Sequence, residues 1–492
     1  MSYRSPSVAG SRRNSLSAPP PVSSAASETA EHPGSILPET IDEWDHDLQS
    51  SRIVRLAGTI LSRVNMNYVL QDREASIHDQ MIFNIKIPLE GNPVANQLQS
   101  GRCWLFATCN VARIFVSRKY DLEKFQLSQS HLFFWDHLSK ANWFLEQMMD
   151  LADEQLDSRV VAFMLADAPA QDGGQYDMAV ALVENYGLVP QSVYPESWNS
   201  SNSANLDALL TSKLREMGMT LRHEVRKDLK QASKKRAVNN ARPMKEGMMK
   251  EIYRILTITC GTPKKPNEEF EWEFVDKSGR YHKIVTTPLN FVRDHVGYSL
   301  SDAISVIDDP RHKPETPMTI ERLGNVVGGR PLRYLNMPSA TLAKLAVSVL
   351  KTGTPVWFGC DVDKSSNTAQ GIMDMKLFEF NEAFGTVVQM DKKQRLLARD
   401  SSMTHAMMFT GVHVEPDTNL PVRWRVENSW GPDACNKGFL VMSHEWFENY
   451  VYQVVIPRAF VPPHLLDVYD HDQVLQLPPW DVLGACAGAT TV

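Results

Sequence analysis

Cysteine is scarce in this chain. Six occur in 492 residues, at positions 103, 109, 260, 360, 435 and 486, and no two form a CxxC pair. So thin a set cannot staple a disulfide framework and offers no obvious structural zinc ligands; free thiols in a reducing compartment are expected. Long apolar runs are missing too. No stretch approaches the ~18 apolar residues of a membrane-spanning helix, so no membrane-embedded role is expected. Basic charge is not in excess: 51 Lys and Arg stand against 58 Asp and Glu, a formal charge of −7. That excludes a uniformly basic nucleic-acid binder and leaves room only for a local patch. Residues 1–27 lack the apolar core of a secretory signal. What remains is an ordinary globular composition, 43% hydrophobic.

Several segments differ in character. Residues 1–40 are rich in Ser, Ala and Pro, with Pro19-Pro20-Pro21 blocking a helix and no acid before Glu28. They read as a disordered tail or, given Arg4, Arg12 and Arg13, a mitochondrial transit peptide, which would suit a cytoplasmic or a mitochondrial protein. Arg12-Arg13-Asn14-Ser15 also has the spacing that basophilic kinases read. Residues 41–205 are patterned as helices. In 52–68 Ile53, Leu56, Ile60 and Val64 fall on one face, which is expected to turn inward. Residues 128–149 read as one or two buried helices. Residues 206–330 form an inserted segment of charged helices and a hairpin, 270–274 with 281–285. Within it, 222–250 holds ten Lys or Arg against three acids, either a solvated helical face or a surface for a polyanion. Residues 331–460 alternate as antiparallel strands, and Pro462-Pro463 opens a final tail within 461–492. Helices first and strands last argue for an α+β fold.

The informative stretch is Gln97-Leu98-Gln99-Ser100-Gly101-Arg102-Cys103-Trp104-Leu105-Phe106-Ala107. Gly101 permits a sharp turn into an apolar helix. Cys103 falls in its first turn, where unpaired amides and the helix dipole favour a thiolate. Gln97 can donate to an oxyanion beside the Cys103 amide. A thiol nucleophile needs a base, and the base needs an orienter. His405 opens an apolar strand, and Asn428 ends an alternating one, followed by a potential cover, Trp430. His413, eight residues on, is the rival base. Cys109 is read as a small core residue, Cys260, Cys360 and Cys435 as structural or surface thiols, and His131 and His137 as hydrogen-bonded core histidines.

Gln-x5-Cys-Trp, His-Ala-Met and Asn-Ser-Trp-Gly, in that order, resemble the papain-like cysteine peptidases. Here 302 residues separate Cys103 from His405, against about 130–150 in papain-type enzymes. A large insertion in a papain frame resembles the bleomycin hydrolase family. So do Asp172-Gly173-Gly174-Gln175, Leu335-Asn336-Met337-Pro338 and Trp480-Asp481-x-x-Gly484-Ala485. The likeness spans roughly residues 50 to 487.

The resemblance implies a papain-like fold, helical left domain and antiparallel right domain, and a cysteine aminopeptidase acting on short peptides and related amides such as bleomycin. Cys103, His405 and Asn428 would be catalytic, with Gln97 at the oxyanion. Asp172, Gly173, Gly174 and Gln175 would line the substrate cleft, and no metal or cofactor would be needed. It implies a homohexamer with an internal chamber, and a C-terminal arm that reaches the active site near Ala487. Residues 488–492 overrun the family ending, so self-trimming close to Ala487 is expected. Some members of the family bind DNA, which would give the 222–250 surplus a DNA or RNA partner.

Overall fold

The computed structural model describes residues 34–166, 169–486 and 488. The expectations for the segment before residue 34, Ser15 included, and for Ala487 fall outside the described residues. The chain divides into two compact units, one ending at Asn65 and one running Met66–Val492.

In the first unit, helices Pro38–Ser50 and Arg52–Leu61 contain no buried residue. The Ser51 hydroxyl caps the second by accepting from the Val54 amide at 3.4 Å. The stripe of Ile53, Leu56, Ile60 and Val64 has the expected helical spacing but is exposed, Ile53 at 68%. Periodicity reports a face; it cannot report whether anything covers it.

The second unit sets helices against one large mixed sheet. Helix Gln129–Asp150 is buried along most of its 22 residues, and its Ser128 cap accepts from the His131 amide at 3.0 Å. Helices Ala204–Asp228 and Lys234–Cys260 pack on it and on each other. This packing consumes part of the 222–250 charge. Arg222 is buried and donates to the Leu151 and Glu154 carbonyls. Lys234 pairs with Asp153, and Arg242 and Lys245 with Glu146.

Strand His405–Val414 lies between Val356–Cys360 and Pro421–Glu427, with His405 opposite Cys360 and Phe409 opposite Val426. Period two divides its side chains between two cores. Ala406 and Met408 join the core that holds the helix starting at Cys103; Met407 and Phe409 join the core under helix Ser339–Leu350.

The hairpin Phe270–Val275 with Tyr281–Thr286 forms as patterned. The 206–330 stretch also supplies two strands of the large sheet, Ala303–Ile307 and Thr316–Ile320. Among the described strands three pairings are parallel: Ala303–Ile307 with Tyr334–Asn336, Phe439–Ser443 with Ile372–Met373, and Leu475–Leu477 with Thr316–Ile320. The sheet is therefore mixed, not wholly antiparallel. No helix among the described residues is long and apolar enough to cross a membrane.

Candidate active site

Cys103 is the first residue of helix Cys103–Lys119, so its own amide and that of Trp104 lie at the unpaired helix start. The turn before it is locked from several sides. Arg102 is buried and binds Glu196 through Nη1 at 2.9 and 3.1 Å, and its Nε donates to the Ser100 hydroxyl. The Gly101 amide donates to Asp172 Oδ2 at 2.6 Å. Gln97 ties the turn to the opposite wall: its amide donates to the Ser429 carbonyl at 2.8 Å, and its Oε1 accepts from the Ser429 hydroxyl at 2.6 Å. Gln97 Nε2 donates to the Ser100 carbonyl at 2.6 Å and retains a second hydrogen.

His405 Nε2 lies 2.9 Å from Asn428 Oδ1, which also accepts from the Ser429 amide at 2.7 Å. With Nε2 donating to Asn428, Nδ1 is the ring nitrogen left for proton exchange. Trp430 covers the pair, its ring centre 5.0 Å from the imidazole. Cys103 Sγ accepts from the amide of Ala406, next to His405, at 3.4 Å. Three distant stretches are thus linked: Gln97 to Ser429, His405 to Asn428, and Cys103 to the Ala406 amide beside His405. His413 is half-buried and opposite Arg423 in the sheet.

A family model described as the Peptidase C1-like family matches residues 35–484. The chain belongs to the Peptidase C1-like family. It is a papain-like cysteine peptidase of the bleomycin hydrolase type. It is 39% identical over 454 residues to "Cysteine proteinase 1, mitochondrial" of Saccharomyces cerevisiae, covering 91% of this chain and 92% of that one. Against bleomycin hydrolase of Homo sapiens the identity is 41% over 417 residues, covering 83% and 89%. The crystal structure of PepW from Lactobacillus rhamnosis superposes with a TM-score of 0.86 at 40% identity, covering 92% of this chain and all of that one.

The peptidase site is closed. Cys103 and His405 are 0% and 4% exposed. Burial pushes the Cys103 thiol up to about 12, against the pull of the Ala406, Trp104 and Cys103 amides; the Asp172 charge adds to the rise. Burial lowers His405, opposed by its bond to Asn428. Both shifts favour thiol and neutral imidazole, not the thiolate expected from the helix start. Desolvation of the charged forms outweighs the amides here.

The chain end contributes to the closure. The Gly488 amide donates to the carbonyl of Thr404, the residue before His405, at 2.8 Å. Its carbonyl lies against Gly101, where a Cβ would collide with it. Asp481 anchors the arm through Arg311 at 2.7 Å, and strand Leu475–Leu477 pairs with Thr316–Ile320.

Asp172, Gly173, Gly174 and Gln175 form the loop beside this turn, and all four are buried. Besides Gly101, Asp172 Oδ2 accepts from the Ser203 hydroxyl, and the Asp172 carbonyl accepts from the Trp104 indole at 2.7 Å. The Gly173 carbonyl accepts from Lys140 Nζ at 2.7 Å. A Cβ on Gly174 would run into the Trp104 ring. His137, read as a core histidine, stands behind the loop: its Nε2 is 2.9 Å from Asp207 and 3.6 Å from Asp172. Ser429, Thr404 and the Arg102–Glu196 pair carried no signal of their own in the sequence, because their roles arise from segments distant along the chain.

Proposed function

We propose that this cysteine peptidase is an aminopeptidase. It removes N-terminal residues from short peptides and cleaves related amides such as bleomycin. The observation that carries the reading is the placement of Gly488. Gly488 spans from Gly101 to Thr404, on the two sides of Cys103 and His405. A cleft blocked at that point admits the end of a substrate more readily than its middle.

In this reading Cys103 Sγ attacks the scissile carbonyl while its proton passes to His405 Nδ1. The oxyanion is met by the Cys103 amide and the spare hydrogen of Gln97 Nε2. Nδ1 then protonates the leaving amine, and a thioester to Cys103 remains. His405 next takes a proton from water, which hydrolyses the thioester. Asn428 keeps the ring oriented throughout. The test compares aminoacyl fluorogenic amides with N-blocked peptides of the same sequence. Faster turnover of the free-amine substrates supports the reading; equal turnover of both overturns it.

A homohexamer with enclosed sites belongs to the same proposal, and sedimentation velocity tests it: a fully active monomer would rule it out. Import into mitochondria fits the acid-free start of the chain and the name of the yeast relative, with a cytoplasmic pool if the segment is not read. A nucleic-acid partner has weaker support, since Glu146 and Asp153 already take up three of the basic side chains in 222–250.

A further inference from the structure

Between strand Leu475–Leu477 and Gly488, side chains from outside the arm hold it by polar contacts around two places. The first is around Trp480 and Asp481. Arg311 pairs with Asp481, Arg399 donates to the Trp480 carbonyl at 2.9 Å, and Arg159 sits 4.0 Å over the Trp480 ring. These contacts lie seven and eight residues before Gly488. A chain of that length, fixed only there, retains wide freedom at its end.

The second place is Gln175. It is the N-cap residue of helix Tyr176–Tyr186, yet it makes no side-chain cap bond to its own helix. Its carboxamide turns to the arm instead. Nε2 donates to the Ala485 carbonyl at 2.5 Å and lies 3.5 Å from the Leu483 carbonyl. Gln175 is 2% exposed, and its Oε1 has no hydrogen-bond partner among the described residues. The donor to the arm is thus the polar anchor of this side chain. It acts three residues before Gly488.

We infer that Gln175 is the positioning residue that sets how far the chain end extends over Cys103, and so sets the preference for a free N-terminus over an internal bond. This rests on the aminopeptidase reading above. A buried carboxamide that donates to a carbonyl fixes the strand it grips within a few tenths of an ångström. Without it the segment from 482 onward keeps the buried Leu483 and Cys486 side chains, the Asp481 contacts behind it and the Gly488 amide ahead, but loses the side-chain donor that fixes its reach. The cleft then opens to longer chains, although Cys103, His405 and Asn428 are untouched.

Two variants of similar size isolate the donor. Gln175→Met removes it, and Gln175→Glu replaces it with an acceptor that faces two carbonyls. Each is measured as the full chain on an aminoacyl amide and on an N-blocked peptide. Loss of one such bond is expected to lower the ratio of free-amine to N-blocked kcat/KM about tenfold. The change should fall mainly in KM for the aminoacyl amide, with the rate of Cys103 labelling by an epoxide retained or increased. Hydrogen exchange of the 475–486 segment should quicken in both variants. An unchanged ratio with unchanged exchange overturns the role. If the variants lose all turnover, exchange alone decides, and normal protection of the arm overturns it. If the wild type itself shows no preference for free amines, the aminopeptidase reading fails instead, while exchange still judges the clamp.

Discussion

Arg113 and Glu427 form an ion pair that is almost completely hidden from solvent. Arg113 Nη2 lies 2.6 Å from Glu427 Oε1, and the two side chains are 1% and 0% exposed. Arg113 belongs to the helix that starts at Cys103; Glu427 ends the strand before Asn428. Glu427 Oε2 also accepts from the Gly91 amide at 3.0 Å, and Arg113 Nη1 donates to the Pro93 carbonyl. One buried bond therefore cross-ties the elements carrying the candidate nucleophile and the orienting amide.

Removing one partner leaves the other charge buried. Glu427→Ala is expected to destabilise the fold by about 3–5 kcal/mol, and Arg113→Ala similarly. The double variant Arg113→Met with Glu427→Leu should recover much of that loss, because no lone charge remains. Urea unfolding of the three variants checks this. A Glu427→Ala loss below about 1 kcal/mol would mean water reaches the pair.

His137 predicts a pH dependence of stability. Burial opposes its charge, but the bond to Asp207 and the charges of Asp207, Asp172 and Asp136 outweigh it and raise it above its ordinary value. Lys140, on the same helix, is already held by Asp136 and the Gln171 and Gly173 carbonyls. A raised group contributes stability that is fully present below the unfolded value, about 6.5 for histidine. That contribution is lost as pH rises through the folded value. Between those limits the wild type should lose unfolding free energy faster than His137→Gln does. Parallel stability curves for the two would contradict the assignment.

The sequence reveals the helix start at Cys103 because Gly101 and a long apolar run sit together. It reveals strand His405–Val414 because that strand is apolar and follows a polar break. Strand Ala303–Ile307 escapes notice: it is buried on both faces, so it shows no alternation to read. Thr316–Ile320 carries Pro317, which argues against a strand. The motif Asp172-Gly173-Gly174-Gln175 is visible, but its bonds are not. Asp172 grips Gly101 from 71 residues away, and Gln175 grips Ala485 from 310 residues away. Local pattern cannot encode partners at such separations.

The buried thiol predicts how Cys103 responds to removal of the arm. With Gly488 docked, burial holds the thiol at about 12. A variant ending at Asp481 exposes the helix start to water, and the thiol should fall toward the free value of ~8.5 or below it. The pH of half-maximal epoxide labelling should drop by at least about one unit. An unchanged midpoint would show that residues other than the arm bury Cys103.

The last prediction concerns the residues beyond Gly488. The Gly488 amide is held by Thr404, one residue before His405, and its carbonyl lies on Gly101, two residues before Cys103. Self-trimming close to Ala487 is therefore expected, with the bond after Gly488 as the candidate for self-cleavage. Attack by Cys103, proton delivery from His405 to the Ala489 nitrogen, and hydrolysis of the thioester would release residues 489–492 and leave a carboxylate on Gly488. That fixed negative charge beside the cleft would attract the α-ammonium of an incoming peptide, and the retained arm would block longer chains. Intact-mass spectrometry decides the matter. The wild type should lose the residues after Gly488, while Cys103→Ala keeps Val492. Gly488→Pro, which removes the amide donor to Thr404, should slow the loss. A wild-type protein that retains Val492 and still prefers free amines would show that the preference does not come from a trimmed end.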